Sequence, residues 1–209
     1  MCYSAEISLL TGSIGIVFSG LLFFSADRFY RLLGSFFGFV SLMQLIEFLL
    51  WSHPVCDDYN KTVSVLGMIL NHLQPVVLAG LTAYFYNSNI GILGLLTMVY
   101  LIVIIPYSLQ FTSNLQCTTR QCGATDPHIV WNWNTLKNSD FTYWVFLGTF
   151  AGIGLAGMPL EKGLPFSACA VGSYLLSKHV YDRKVMGSLW CFWTAFAPAA
   201  IYLNSLISY

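Results

Sequence analysis

The sequence predicts an all-α membrane protein, a polytopic bundle of seven transmembrane helices. Only 9% of its 209 residues are charged, whereas 56% are hydrophobic. Apolar runs of about 18–25 residues also recur along the whole chain, which is the length that a helix needs to cross a bilayer. A soluble domain carries roughly 25% charged residues because its surface faces water. This chain has too little charge for that, so most of its surface is predicted to face lipid.

The seven apolar runs are predicted to form a single integral membrane domain over residues 1–209. Backbone groups in lipid must be bonded within their own segment, and the runs lack the alternation of barrel strands, so each is predicted to be a helix. The first run has no basic leader and is expected to be a retained span, not a cleaved signal. The predicted spans lie at about 3–24, 32–52, 62–86, 90–112, 141–158, 164–181 and 186–207.

The fifth and sixth predicted spans are close to the lower length limit for crossing a bilayer. They flank the segment Pro-Leu-Glu-Lys-Gly at 159–163, which is expected to interrupt the helices. A re-entrant hairpin made of these two runs would reduce the count to five or six spans. Seven spans is the preferred prediction.

The predicted orientation places the N-terminus outside and the C-terminus inside. Arg28 and Arg31 follow the first span, and the positive-inside rule puts them in the cytoplasm. Other basic residues fall on the opposite side, so charge alone does not decide the orientation. Four cysteines would share the N-terminal side, as expected of an oxidising compartment. These disulfide candidates are Cys2, Cys56, Cys117 and Cys122.

Spacing leaves the disulfide pairing open: Cys117 with Cys122 is one option, and links from Cys2 or Cys56 to the long loop are others. The only N-glycosylation sequon, at Asn60, lies on the same predicted outer side.

The one sizeable predicted loop, about 113–140, is long for a connection between neighbouring helices. It contains His128, Trp131 and Trp133. One interpretation is a disulfide-stapled cap whose tryptophans lie at the membrane interface. The other is a lid over a cavity that opens on the same side.

Two groups of polar residues interrupt the predicted spans. Gln44 and Glu47 are three residues apart and share a helical face, about five residues from the outer end of the second span. A buried carboxylate there usually faces the bundle interior or a water-filled cavity.

The third span contains Asn-His-Leu-Gln-Pro at 71–75. Because Pro75 has no N–H, it frees the carbonyl of Asn71, which predicts a polar break with His72 and Gln74 near the midplane. Transporters often place their sites at such broken helices. His72 is a predicted partner of Glu47.

Small residues one turn apart predict close helix packing. Gly34 with Gly38, and Gly148 with Gly152, are expected mainly to pack within the bundle. Either face is also a candidate interface for a homo-oligomer.

Four short motifs, "MCYSAE", "QLIEFLLW", "LQP" and "HIVWNW", occur along the chain. Together they resemble those of a group of small polytopic membrane proteins in bacteria, protists and large DNA viruses, which open with Met-Cys-x-Ser-Ala. The resemblance implies membrane residence and no particular activity. It draws attention to Cys2, Gln44, Glu47, Trp51, Gln74, Pro75, His128, Trp131 and Trp133.

The leading functional hypothesis is a channel or transporter for a small ion or solute, with a pathway lined by Gln44, Glu47 and the Asn71–Pro75 segment. The alternatives are a structural or assembly protein of a membrane and a metal-dependent membrane enzyme, for which zinc held by His72, Glu47 and Cys2 is conceivable. No cofactor or metal is expected for the leading hypothesis, and a non-enzyme is favoured. The seventh span has no lysine, which excludes a retinal pigment.

The zero net charge gives no basic surface for nucleic acid. The predicted partners are the lipid bilayer and a small ion or solute. The predicted location is the plasma membrane, a secretory-pathway membrane or a viral membrane.

Overall fold

The computed structural model of the chain describes residues 4–87, 89–120, 129–180 and 186–207. Its helices confirm the predicted all-α polytopic bundle. They are α1 (Ala5–Phe23), α2 (Arg28–Ser52), α3 (Asp58–Tyr86), α4 (Ile90–Ser113), α5 (Ser139–Gly157), α6 (Leu160–Val180) and α7 (Met186–Ile207). The connection between α4 and α5 contains the antiparallel strand pair β1 (Thr119–Arg120) and β2 (Ile129–Val130), then a short 3₁₀ helix at Asn132–Thr135.

Five helices in the described ranges are long and apolar enough to cross a membrane. They are α1 to α4 and the Trp190–Ile207 part of α7. The two remaining helices, α5 and α6, pack against each other as a hairpin. The carbonyl of Gly154 fills the place that a side chain on Gly163 would need. The membrane character of the protein therefore rests on five helices, and crossing by α5 and α6 remains a prediction.

Three helices begin four residues earlier than their apolar runs, and polar side chains cap two of them. Asp27 accepts a hydrogen bond of 2.7 Å from the amide of Phe29 at the start of α2. Asp57 accepts one of 3.0 Å from the amide of Asn60 at the start of α3. Such caps satisfy amides that have no partner within the helix. The third, α6, begins at Leu160, so the predicted interruption at 159–163 is mostly the first helical turn.

The two ends of the bundle differ in their chemistry. A disulfide joins Cys56 in the α2–α3 connection to Cys117 in the α4–α5 connection, and we call this end of the bundle the disulfide end. At the opposite end, Lys162 of α6 lies 3.0 Å from Asp27 at the start of α2. Partial burial would raise the pKa of Asp27, but its bond from the Phe29 amide and the nearby Lys162 lower it overall.

Glycines bring α1 and α2 into direct backbone contact. A Cβ on Gly34 would lie 2.5 Å from the carbonyl oxygen of Ser19, and one on Gly38 would lie 3.5 Å from the Cβ of Ser19. The Gly34/Gly38 face is therefore occupied by α1 and is not available to a second copy of the chain. On α5, a Cβ on Gly152 would lie 3.1 Å from Leu96 of α4, whereas one on Gly148 would meet open space.

We predict that Gly34→Ala destabilises the bundle by about 1–3 kcal/mol, because the methyl group would overlap the backbone of α1. Gly20→Ala on α1 is the matched control, since a Cβ there meets nothing within 4 Å. The control should be neutral or slightly stabilising, because alanine favours helix over glycine. Thermal unfolding in detergent would measure both variants. Equal melting temperatures would contradict the proposed contact.

Candidate functional site

A chain of buried polar side chains connects α1 to α2 near the disulfide end. The hydroxyl of Thr11 lies 2.8 Å from Oε1 of Gln44 and donates to it. The Gln44 amide in turn donates to Oε2 of Glu47 at 3.4 Å. All three side chains are buried, and Glu47 is only 1% exposed. The predicted shared face of Gln44 and Glu47 is thus confirmed, and Thr11 extends it to a second helix.

The small residue Gly12 allows this arrangement. A Cβ on Gly12 would lie 3.1 Å from the Cβ of Gln44, so α1 approaches α2 closely at this level. Thr11 is its neighbour in sequence and reaches the Gln44 amide. Within lipid, polar side chains are stabilised by such partners on adjacent helices. The close helix contact therefore positions the carboxamide that bonds to Glu47.

A carboxylate at this position is energetically expensive. An acidic side chain at the centre of a span costs about 2.5–3.5 kcal/mol on insertion scales, and less near an end. Glu47 is five residues from Ser52, the last residue of α2. The chain nevertheless carries this carboxylate within a helix that is long and apolar enough to span a membrane.

His72 is directed toward α4. Its Nδ1 lies 2.8 Å from the hydroxyl of Ser108, and its ring centroid lies 5.8 Å from that of Tyr107. The Ser108 hydroxyl also donates to the carbonyl of Ile104 at 2.8 Å. His72 therefore has a hydrogen-bond partner on α4, whereas Gln44 bonds toward α1.

The predicted polar break at Pro75 is wrong. Helix α3 runs without interruption from Asp58 to Tyr86, with Pro75 inside it. The hydroxyl of Tyr100 on α4 donates to the carbonyl of His72 at 2.7 Å, next to the carbonyl of Asn71 that Pro75 frees. This bond joins α3 to α4 beside the proline, and α3 remains helical on both sides of Pro75.

Asn71 and Gln74 are buried on α3 with amide groups that lack partners. Nδ2 of Asn71 and both polar atoms of Gln74 have no hydrogen bond. Gln74 lies in the wall of a cavity between α2, α5, α6 and α7. The predicted pathway residues therefore fall into separate environments: Gln44 and Glu47 beside α1, His72 beside α4, and Gln74 in this cavity.

The long connection between α4 and α5 packs over the bundle. Trp131 is 1% exposed, and a Cβ on Gly67 would lie 3.1 Å from its ring. The same Cβ would lie 3.0 Å from Ile46, the neighbour of Glu47. Trp133 is also buried, with its ring centroid 5.7 Å from that of Phe111. Both tryptophans therefore pack into the bundle near the level of Glu47, and their position at the membrane interface remains a prediction.

The disulfide and Asn60 hold this connection in place. The observed partner of Cys117 is Cys56, so the alternative pairing with Cys122 is wrong. The side-chain amide of Asn60 donates to the carbonyl of Thr118 at 3.2 Å, and its oxygen accepts from the amide of Thr118 at 2.9 Å. The remaining predicted disulfide and lid residues, Cys2, Cys122 and His128, lie outside the described residues.

These contacts conflict with glycosylation of Asn60. Its side chain is 1% exposed, and both ends of its carboxamide are bonded to Thr118. A glycan on the amide nitrogen would have no space in this fold. The pKa of the nearby Asp57 carboxyl is lowered, because the backbone amide of Asn60 and the side chain of His53 both bond to it.

Sequence reasoning missed Thr11, Ser108 and Thr118. Thr11 and Ser108 lie in helices, where hydroxyls commonly bond to the backbone of their own turn, whereas Thr118 lies in the α4–α5 connection and bonds to Asn60 through its backbone. Nothing in the sequence distinguishes those that also bond to another helix. Among the residues that the structure describes, no three His, Cys, Asp or Glu side chains are close enough to hold a metal ion.

Comparisons with protein families, curated proteins and solved structures find no match to this chain. The site must therefore be interpreted from its own geometry.

We predict that Asn60→Ala destabilises the folded protein by about 1–3 kcal/mol, because it removes both bonds between this buried side chain and the backbone of Thr118. Lys61→Ala is the matched control. The only described bond of the Lys61 side chain is an exposed ion pair with Asp58. The free energy of unfolding should therefore change by no more than about 0.5 kcal/mol. Thermal unfolding of both variants measures this, and an equal loss in the control would contradict the assignment.

Proposed function

We propose that this membrane protein passes a small ion or polar solute through the disulfide-end half of its bundle, with Glu47 as the binding group. The observation that carries the proposal is the burial of Glu47 in a spanning helix, bonded through Gln44 to Thr11 of a second helix. A carboxylate is a suitable ligand for a cation or a proton. Such residues inside membranes mark ion pathways and proton relays.

The covering connection supports a gated site. Trp131 lies against Gly67 and Ile46, so the segment that contains it is placed to separate the Glu47 level from the surface. The motifs "QLIEFLLW" and "HIVWNW" contribute residues to one apolar cluster that includes Ile46, Trp51 and Trp131. From the resemblance of these motifs, we further propose that the chain belongs to the group of small polytopic proteins that share them.

The surroundings of His72 favour the alternative, a structural or assembly role. Its Nδ1 is bonded to Ser108, its ring packs beside Tyr107, and its backbone carbonyl accepts from Tyr100. These contacts join α3 to α4 and require no solute. If the protein passes a solute, His72 therefore contributes less to the pathway than Glu47. Substitution of Glu47 is the decisive test.

The orientation with the disulfide end outside is part of the proposal. The Cys56–Cys117 disulfide suits an oxidising compartment. Arg28 and Arg31 lie at the opposite end, which the positive-inside rule assigns to the cytoplasm. Solute would then enter from the outer side.

Flux into proteoliposomes tests the function. Proton, sodium and potassium uptake would be measured for the wild type and for Glu47→Gln, which keeps the side-chain shape and removes the charge. We expect a loss of about tenfold or more, because a hydrogen bond to a charged group contributes about 1.5–3 kcal/mol. Glu6→Gln is the matched control, since Glu6 is an exposed carboxylate in the first turn of α1.

The control should retain wild-type flux. Equal flux in wild type and Glu47→Gln would exclude Glu47 from the mechanism. Absence of flux of all three cations in folded wild-type protein would favour the structural role instead.

Cysteine labelling tests the orientation. Lys137 and Ala26 are exposed residues at the disulfide end and the opposite end, respectively. In intact cells, a membrane-impermeant maleimide should label Lys137→Cys, and it should label Ala26→Cys only after permeabilisation. Mass spectrometry of the peptide that carries each introduced cysteine gives the result. The reverse pattern would invert the topology.

A further inference from the structure

A second site lies away from Glu47, in a cavity of about 200 Å³ between α2, α5, α6 and α7. Its wall is dominated by aromatic rings, including those of Phe36, Phe150, Phe166 and Trp190. None of the described residues that line it carries a charge. Cavities with such walls exclude water and accept apolar molecules.

One polar side chain in this wall has no partner. Gln74 is 0% exposed, and neither its amide nitrogen nor its amide oxygen forms a hydrogen bond. An unsatisfied buried amide costs about 1–3 kcal/mol, so it indicates that something else bonds to it.

The other polar groups of the cavity wall are already bonded. The indole nitrogen of Trp190 donates to the hydroxyl of Ser173 at 3.0 Å. The hydroxyl of Thr194 donates to the carbonyl of Trp190 at 2.9 Å. Gln74 is therefore the group in the described wall that is left to bind a ligand, and its carboxamide can both donate and accept.

The cavity continues toward the opposite end of the bundle. A second hollow of about 510 Å³ shares Phe37, Phe166, Cys169 and Ala197 with the first. Its walls are also mainly apolar, and Glu161 and Lys162 lie at its far end. Lys162 is paired with Asp27 and lies 4.8 Å from the ring centroid of Phe29, so its charge is already compensated. The two hollows form an elongated apolar space that reaches from Gln74 toward the membrane surface.

We propose that this space binds a neutral amphiphile with one hydrocarbon chain and one uncharged head, such as a primary alcohol or amide. The head would exchange hydrogen bonds with the carboxamide of Gln74, and the chain would lie along Phe166 and Ala197 into the larger hollow. A fatty acid anion would be disfavoured, because the cavity around Gln74 offers no cation to balance it. The ligand would enter from the bilayer, where such molecules dissolve.

Photolabelling of the full-length protein in detergent tests this proposal. The probe is hexadecanol that carries a diazirine in its chain and a terminal alkyne. We expect saturable labelling of wild-type protein, with the labelled residues on α6 and α7. Unlabelled hexadecanol should compete about 5- to 10-fold better than hexadecane, because one neutral hydrogen bond contributes about 1–1.5 kcal/mol. Palmitate should compete no better than hexadecane.

Two variants separate the head contact from the cavity. In Gln74→Leu, the advantage of hexadecanol over hexadecane should disappear while labelling persists. Ala170→Phe, which fills the cavity wall, should abolish saturable labelling. Ala168→Phe is the matched control, because Ala168 is an exposed residue of the same helix outside the cavity wall.

Three results would overturn the proposal. They are non-saturable labelling of the wild type, a hexadecanol advantage that survives in Gln74→Leu, and equal labelling in Ala170→Phe and Ala168→Phe. The competitor series in wild-type protein tests the proposal even where a variant fails to fold.

Discussion

The close contact between α1 and α2 is the constraint on which the polar site depends. Gly12 and Gly34 remove side chains where the two backbones meet, and Gly34 lies against the carbonyl of Ser19. In lipid, helices associate through such packing and through hydrogen bonds between them, because no water is expelled. The contact brings Thr11 to Gln44, and Gln44 to Glu47. Without it, Gln44 would lose its bond to Thr11 on the neighbouring helix.

The bundle distributes its buried polar groups among separate environments. The Thr11–Gln44–Glu47 chain lies beside α1, and His72 is bonded to Ser108 on α4. Gln74 occupies the wall of an apolar cavity on the other side of α3. These environments suit different chemistry: a charged or protonated species at Glu47, helix association at His72, and a neutral lipid-soluble head at Gln74. The covering segment with Trp131 lies near the first of these through Gly67 and Ile46, and its Trp133 carbonyl accepts from Tyr107 beside His72.

Sequence patterns over a few residues predicted those features that depend only on neighbouring positions in the chain. The shared face of Gln44 and Glu47 follows from their spacing, and the structure confirms it. Asp27 and Asp57 are visible in the sequence as capping residues, yet hydropathy alone places the starts of α2 and α3 four residues too late. The break predicted at Pro75 is absent, since α3 continues through the proline, and Tyr100 of α4 bonds to the neighbouring His72 carbonyl. Trp131 is ambiguous in the sequence, and only the fold shows that Gly67 makes room for its ring.

The sequence by itself determined that most of the protein surface faces lipid and that its segments are helical. It also showed that Glu47 is an acidic residue within a spanning segment, where burying it costs free energy. These features follow from the composition and from the length of the apolar runs. Lipid tolerates few charged side chains, and the backbone groups within it must form hydrogen bonds inside their own segment. Only the tertiary structure decided that Cys56 pairs with Cys117, that His72 is directed to α4, and that Gln74 lines a cavity. The rotation of each helix about its axis is set by packing against residues distant in sequence, and no local pattern contains that information.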